Sequence, residues 1–306
     1  MIRLSIVIVG WNSKAYLLPC LGSLFRFAPS CAFEVIYVDN ASQDGSVQAV
    51  REHYPVVKVM ENAENLGFAR AVNTGLRLAP GEYVLLLNPD TLALEGSFDV
   101  LTRCLDEDAR VGAASGKCLR PDGSVQWTIG EFPSISSFLV WLCRRHRMLS
   151  ALAKILRKAR DTSRGMEQDY AYGAFCLVRR ETIDDVGLMD ENMFLYGDEL
   201  DWCLRMKRKG WKILYVPEAQ IVHHCGGTMA RNPKRSHIEW LRSHRYLVRK
   251  YRGVACGVAV DAIVVADIAL RLLESTARNL LGRRSTDPAF QSAADCLEVF
   301  RGAFLG

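Results

Sequence analysis

Three groups of polar side chains have the types and spacing needed for chemistry, and the first is centred on Asp90. This residue follows the apolar run 83–87, Asn88 and the turn residue Pro89. A carboxylate in that place suits Mg²⁺ or Mn²⁺, because these hard cations prefer oxygen ligands and often share a carboxylate with substrate phosphates. A metal there would neutralise charge on a departing diphosphate. Asp90 is therefore a candidate metal ligand.

The second group is the acidic stretch 190–205, D-E-N-M-F-L-Y-G-D-E-L-D-W-C-L-R. If a helix begins at Asp198, then Asp198, Asp201 and Arg205 share one face, with Glu199 beside them. Acids in a first helical turn also oppose the helix dipole, which is their ordinary structural use. Three carboxylates within four residues nevertheless offer a general base for a hydroxyl group.

The third group is I-V-H-H-C-G-G-T, residues 221–228. A histidine here can bind a metal or contact a pyrophosphate, and the glycines allow a loop to fold over a site. His223 is the candidate metal ligand, and His224 is the alternative.

The first ninety residues alternate between apolar strand runs and helical spacing, which predicts a doubly wound, mainly parallel α/β sheet flanked by helices. Pro217 is expected to stop the last strand. A first helix capped by Asn12 or Ser13 is expected after the first strand. The predicted strands cover 4–9, 35–38, 56–60, 83–87, 176–179 and 211–216, and further helices cover 66–79, 198–209 and 254–281.

Polar residues cluster where three of these strands end, and ligands bind to such sheets beyond the carboxyl ends of the strands. Asn, Asp and Pro are common in turns, but three clusters at one edge favour a binding site. Asp39 can accept hydrogen bonds from a ribose or base, Gly67 allows close backbone approach, and Arg70 can reach phosphate. The clusters are Trp11 with Asn12, Asp39 with Asn40, and Asn88 with Asp90.

The length, hydrophobic content and cysteine pattern of the chain indicate which classes of protein it can belong to. The chain has 306 residues, 49% hydrophobic and 24% charged, and its ten cysteines lack a C-x-x-C pair. This pattern argues against a zinc module or a disulfide framework and favours a reducing cytosol. The first strand begins almost at Met1, so no signal peptide is expected.

The net charge of +5 is concentrated in segments 141–165 and 231–252. Each carries eight Lys or Arg against one acid, which predicts contact with phosphate or an anionic membrane. No nucleic-acid recognition motif accompanies them, so nucleic acid is not an expected partner.

The apolar segment 254–281 contains Asp261 and Asp267, which argues against a spanning helix and for an interfacial or packing helix. Segment 141–160 mixes apolar and basic residues. We therefore expect peripheral attachment to the inner face of the membrane that weakens with salt, the alternative being packing within the chain or across a homodimer.

The ordered motifs resemble glycosyltransferase family 2, and within it the rhamnosyltransferase-like branch. They span roughly residues 4–228, and no single one is decisive. The matching stretches are S-I-V-I-V-G-W-N (5–12), V-D-N-A-S-Q-D-G-S (38–46), N-L-G-F-A-R-A-V-N-T-G (65–75), L-L-L-N-P-D-T (85–91), D-G-S-V-Q (122–126), F-P-S (132–134), G-A-F-C-L-V-R-R (173–180), F-L-Y-G-D-E-L-D-W-C-L-R (194–205) and H-H-C-G-G-T (223–228).

The resemblance implies a GT-A domain over 1–230, followed by a basic and then apolar helical extension over 231–306. It implies Asp90 in the metal-binding role of an Asp-x-Asp motif, with Asn88 replacing the first acid. The family's usual acid pair is reversed here, so Glu199 is the first choice of base and Asp198 the alternative. The implied nucleotide pocket contains Trp11, Asn12, Asp39, Asn40 and Asp44.

The implied reaction is a single in-line displacement with inversion, from dTDP-rhamnose or a UDP-sugar to a saccharide acceptor. A lipid-linked diphosphate acceptor would explain the basic segments and the apolar helix. A sugar nucleotidylyltransferase lacks support, because its glycine-rich loop is missing after the first strand. An inactive carbohydrate-binding relative remains the alternative from another class.

Overall fold

The computed structural model describes residues 1–129, 132–146, 164–224, 232–280 and 287–305. These residues contain one ten-stranded sheet, ordered β3-β2-β1-β4-β9-β6-β10-β5, with β7 on β6 and β8 on β10. The strands are β1 (Leu4–Gly10), β2 (Phe33–Asp39), β3 (Lys58–Glu61), β4 (Tyr83–Leu87), β5 (Thr91–Ala93), β6 (Val111–Leu119), β7 (Val125–Gln126), β8 (Met166–Glu167), β9 (Phe175–Arg179) and β10 (Lys212–His223).

Helices connect these strands and cover the sheet, which confirms the predicted α/β class. β1, β2, β3 and β4 pair in parallel, and β9 is antiparallel to both β4 and β6. Consequently β6 and its parallel partner β10 run in the same direction as β4. The helices are α1 (Lys14–Arg26), α2 (Ser46–His53), α3 (Phe68–Leu78), α4 (Ser97–Glu107), α5 (Ile135–Arg145), α6 (Arg180–Val186), α7 (Asp198–Arg208), α8 (Pro233–Leu280) and α9 (Ala293–Leu305).

The central strands are apolar on both faces because helices cover both sides of the sheet. In β1, Ile6 and Ile8 face one hydrophobic core with α1 and α4, whereas Val7 faces the other with α3 and α7. This arrangement fixes where the strands end, and therefore where the loops that follow them lie.

Two local predictions were wrong. The strand expected to stop at Pro217 continues to His223, because its register against β6 shifts between Val216 and Gln220. A proline lacks the N–H that a regular ladder needs, and such an irregularity removes that requirement. Ser13 does occupy the N-cap of α1, but its side chain makes no capping hydrogen bond.

The contacts divide the described chain into two units. The second contains 133–146, 195–197, 232–280 and 287–305, with a core that joins α5, α8 and α9. Gly253 is non-helical within α8, with φ of 83°, and separates a basic half from an apolar half. The predicted boundary at residues 230 and 231 lies outside the described residues, as do 147–163 of the first basic segment.

We predict that Gly75→Ala lowers the free energy of unfolding by about 1–3 kcal/mol, because the added Cβ overlaps Val7 Cγ1 in the contact between α3 and β1. Gly22→Ala is the matched helical control, since its Cβ meets only the Tyr54 hydroxyl at 3.3 Å. Urea unfolding of both variants measures the difference. Equal stabilities would contradict the close approach at Gly75.

Candidate active site at the carboxyl edge of the sheet

The loops after β1 and β2 are tied together by side-chain hydrogen bonds. Asn12 has φ of 50°, its backbone N–H donates to Ser42 Oγ (2.8 Å), and its Oδ1 accepts from the Gln43 N–H (2.7 Å). Asp39 is buried and accepts from the Tyr37 hydroxyl and the Ser42 N–H, both at 2.8 Å. Both predicted pocket residues therefore help to hold this edge in shape.

Asp44 and Trp11 lie in the same loops. Burial alone would raise the pKa of Asp44, but hydrogen bonds from Ser46 and from the backbone N–H of Lys14 lower it. Asp44 is thus a carboxylate at neutral pH. Trp11 is 37% exposed, which leaves indole surface available for stacking on a base.

The loop before α3 is joined to the segment before α7 by its backbone. Gly67 has φ of 83°, and a Cβ on it would lie 2.5 Å from the carbonyl oxygen of Phe194. The Phe68 N–H donates to that oxygen at 2.7 Å. Asn40 is buried behind this loop, where its Nδ2 donates to Gly67 O (3.2 Å). Arg70 is half-exposed, with its Nε 3.8 Å from Glu191.

Asp90 and His223 meet at the ends of β4 and β10. His223 Nε2 lies 3.2 Å from Asp90 Oδ1, and both side chains are largely buried. The His224 N–H donates to Asp90 O at 2.9 Å. A carboxylate oxygen and an imidazole nitrogen at this separation fit a divalent cation. Within the described ranges no group of three or more His, Cys, Asp or Glu forms a candidate metal cage. Divalent cations of this kind also take substrate phosphates and water as ligands.

The first turn of α7 holds two adjacent carboxyl groups, those of Asp198 and Glu199. Asp198 is buried, and within the described chain its Oδ2 has no hydrogen-bond partner. Burial, reinforced by the charge of Glu199, raises the pKa of Asp198 well above its usual value. Burial also raises the pKa of Glu199, while the hydrogen bond with Asp198 opposes the rise. Asp198 therefore retains its proton longer, and Glu199 ionises first.

Glu199 borders the strand edge as well. Its Cβ lies 4.0 Å from the position of a Cβ built on Gly173, which is equally close to the Phe68 ring. The next residue, Ala174, accepts from the Asn88 N–H at 3.0 Å. The segment before β9 thus contacts both the end of β4, which precedes the candidate metal ligand Asp90, and the acidic first turn of α7.

Asp201 occupies a different environment from the other two acids. Its side chain is fully buried and accepts from Arg205 Nε at 2.8 Å. Arg205 also donates to the carbonyl oxygens of Val186 and Leu188. These contacts anchor α7 to the segment after α6, which gives Asp201 a structural use within the helix.

Two residues at this edge were missed by the sequence-based site prediction. Gln126 lies 2.9 Å from His223 Nδ1, and Tyr172 packs edge-on against the same imidazole. The one signal for Gln126 in the sequence was its place in the D-G-S-V-Q motif, residues 122–126. The glycines at 226 and 227, expected to form a loop over the site, lie outside the described residues.

Residues 5–187 match the model of glycosyl transferase family 2, so the chain belongs to that family and is a glycosyltransferase. It is 30% identical over 251 residues to the N-acetylglucosaminyl-diphospho-decaprenol L-rhamnosyltransferase of Mycobacterium tuberculosis, covering 77% of this chain and 80% of that protein. It is 27% identical over 180 residues to rhamnosyltransferase WbbL of Escherichia coli K12, covering 57% of this chain and 64% of that protein. The predicted resemblance to the rhamnosyltransferase-like branch is confirmed.

Solved structures share the fold. The mannosyltransferase PcManGT of Pyrobaculum calidifontis, in complex with GDP-Man and Mn²⁺, aligns with a TM-score of 0.56 at 18% identity, over 98% of this chain and 86% of that one. GalNAc-T7 with UDP, GalNAc and Mn²⁺ aligns with a TM-score of 0.58 at 17% identity; the match covers 81% of this chain and about half (48%) of that one. The predicted GT-A fold is therefore confirmed.

We predict that Asp198→Asn raises the free energy of unfolding at pH 7. The raised pKa of Asp198 means that the folded state holds a proton that the unfolded state releases above pH 3.8, so this group's contribution to stability falls as pH rises. The gain in the variant should shrink as pH falls towards 3.8. Thermal unfolding between pH 4 and 8 measures it, with exposed Asp184→Asn as control. A loss of stability at pH 7 would contradict the raised pKa.

Proposed function

We propose that this glycosyltransferase transfers rhamnose from dTDP-rhamnose to a lipid-linked diphosphate saccharide, with inversion, in the synthesis of a cell-surface polysaccharide. The observation that carries the inverting mechanism is the Asp198 and Glu199 pair, in which the partly exposed member ionises first. The donor and acceptor are suggested by the activity named for the Mycobacterium tuberculosis relative. A UDP-sugar is the alternative donor.

In this proposal Glu199 is the general base. Its raised pKa makes its carboxylate a stronger proton acceptor for an acceptor hydroxyl, and the protonated Asp198 donates a hydrogen bond that holds it in place. Asp201 keeps α7 in register through Arg205 rather than touching substrate.

Asp90 and His223 would hold Mg²⁺ or Mn²⁺, which supplies charge neutralisation to the departing diphosphate. The role of the loops after β1 and β2 is to bind the nucleoside: Trp11 offers a stacking surface, and Asn12, Asp39, Asn40 and Asp44 keep the loop shape. Arg70 offers the diphosphate a cation, and Asn88 lies beside Asp90 at the end of β4. Gly67 shapes the loop before α3, where its missing Cβ admits the Phe194 carbonyl oxygen.

The test is a transfer assay with dTDP-rhamnose or UDP-N-acetylglucosamine and an N-acetylglucosaminyl-diphospho-prenol acceptor. Product formed from dTDP-rhamnose, lost with EDTA and restored by Mn²⁺ or Mg²⁺, supports the proposal. Product from the UDP-sugar alone would overturn the donor assignment. No turnover of either donor, despite nucleotide binding, would favour an inactive binding relative.

We predict that Glu199→Gln lowers kcat by about 10²–10⁴-fold with little change in donor affinity, because loss of a general base falls on the chemical step. Steady-state kinetics and donor titration measure the two quantities. Glu181→Gln, at an exposed position of α6, is the matched control and should retain wild-type kcat. If Asp198→Asn loses more activity than Glu199→Gln, the base is Asp198.

We further propose that the protein attaches peripherally to the inner face of the membrane through the apolar half of α8. By length and composition α8 is also able to cross a membrane, and only 28% of its most apolar 18-residue stretch is buried. Every exposed residue between 254 and 273 is apolar. This apolar stripe consists of Val254, Ala255, Val258, Ala262, Val265, Ala266, Ala269 and Leu273.

The two acids that interrupt this segment are paired within the second unit. Asp261 accepts from Arg245 Nε at 2.6 Å and from Arg249. Asp267 is buried, 2.6 Å from Arg271 Nε and 2.8 Å from His146 Nε2. Neither carboxylate therefore faces outward along the stripe. Asp261 also partly neutralises two cations of the segment 231–252, Arg245 and Arg249, so we expect apolar contact to contribute more to attachment than charge does.

We predict that Val258→Gln, Val265→Gln and Leu273→Gln together abolish co-sedimentation with phosphatidylglycerol vesicles, because each Val or Leu buried in lipid contributes about 1.5–3 kcal/mol. Val56→Gln, Met60→Gln and Leu78→Gln, equally exposed apolar positions in the first unit, should leave binding unchanged. Binding should persist, weakened, in high salt. The membrane proposal is wrong if the wild-type chain does not sediment with vesicles. If the wild-type chain is then a dimer and the triple variant is a monomer, the stripe binds a second copy of the chain instead.

A further inference from the structure

His223 makes a different contact through each ring nitrogen. Nε2 faces Asp90 Oδ1 at 3.2 Å, and Nδ1 lies 2.9 Å from Gln126 Oε1. An amide oxygen and a carboxylate oxygen both only accept hydrogen bonds, so in the absence of a cation Gln126 and Asp90 compete for the ring proton; a cation held between Asp90 and Nε2 removes that competition and leaves the proton on Nδ1. Nε2 then presents its lone pair on the side of the Asp90 carboxylate, as a metal ligand must.

The Gln126 amide contacts a second side chain as well. Its Nε2 donates to the Tyr172 hydroxyl at 3.3 Å, while its Oε1 faces the histidine. Tyr172 also packs edge-on against the imidazole, with ring centroids 5.9 Å apart and an interplanar angle of 69°. Because the His223 side chain is only 5% exposed, water has little access to replace the amide.

A short hairpin delivers Gln126 to this place. β7 has two residues and pairs with the end of β6, with Gln126 opposite Cys118. The turn between the strands has Gly123 at φ 80° and Arg120 N–H donating to Ser124 O at 2.8 Å. The hairpin therefore places an amide beside the imidazole that ends β10. In the sheet, two strands, β9 and β6, separate β10 from β4, the strand that precedes Asp90.

We propose that Gln126 is a positioning residue that holds His223 in the Nδ1–H tautomer, with Nε2 available to the divalent cation. This inference rests on the proposed metal role of Asp90 and His223. Contacts of this kind, which orient a metal ligand without touching the metal, typically change affinity by about 10–100-fold when removed.

The test combines Mn²⁺ affinity, measured by electron paramagnetic resonance in the presence of dTDP, with ¹⁵N NMR of the metal-free histidines in an Asp90→Ala background, which removes the carboxylate that competes for the ring proton. The His223 signals are assigned by their loss in His223→Gln. Gln126→Met, which keeps the side-chain length but removes the acceptor, should weaken Mn²⁺ binding by about 10–100-fold and mix the His223 tautomers. Gln126→Glu, which retains an acceptor, should preserve both. Gln48→Met, at an exposed position of α2, should match wild type.

Each failure has its own signature. Wild-type affinity and an unchanged Nδ1–H tautomer in Gln126→Met, while Asp90→Ala loses Mn²⁺, would overturn the positioning role alone. Unchanged Mn²⁺ affinity in Asp90→Ala would overturn the metal assignment in the proposed function, and the inference with it. Thermal unfolding of Gln126→Met checks that the variant is folded. If Gln126→Glu weakens Mn²⁺ binding as much as Gln126→Met does, an acceptor at this position is not what the site needs, and the inference is wrong.

Discussion

The arrangement of the candidate site depends on one backbone contact, the hydrogen bond from the Phe68 N–H to the Phe194 carbonyl oxygen. It forms because Gly67 has no Cβ, which would lie 2.5 Å from that oxygen. The contact joins the start of α3, next to the loops that follow β1 and β2, to the segment that leads into α7. Residues more than a hundred positions apart in the chain therefore share one edge of the sheet, and the carboxyl pair of α7 stands beside the strand ends.

The same edge concentrates polar groups that a stable fold would otherwise avoid. Asp198 is a buried carboxyl group with a raised pKa, and burying such a group costs stability at neutral pH. Asp39 and Asn40, by contrast, are buried with their hydrogen bonds satisfied. The satisfied groups hold the loops in shape, whereas burial raises the pKa of both carboxyl groups of the Asp198 and Glu199 pair and so increases the proton affinity that a base requires.

The strands were predictable because β1 and β4 are uninterrupted apolar runs, and the polar clusters followed from where those runs end. The path of β10 beyond Pro217 was not, since it depends on a register shift against β6 that local sequence does not encode. Asp201 carried the same chemical signal as Glu199, and only the structure shows that Asp201 is fully buried in an ion pair with Arg205 whereas Glu199 is partly exposed. Gln126 was missed because a glutamine has no catalytic signature until the fold places it beside an imidazole. The pairing of Asp261 with Arg245, on the other side of the break at Gly253, likewise required the structure, whereas Asp267 and Arg271 are an i, i+4 pair within one helix.

The central claim is that Glu199 acts as a base in a single displacement rather than as a nucleophile. The most direct measurement is the anomeric configuration of the first product, determined by ¹H NMR before any spontaneous rearrangement. A product whose new linkage has the configuration opposite to that of the donor sugar is predicted. A product that retains the donor configuration would contradict the account, because it requires either a covalent intermediate or same-face attack, and neither uses Glu199 as proposed.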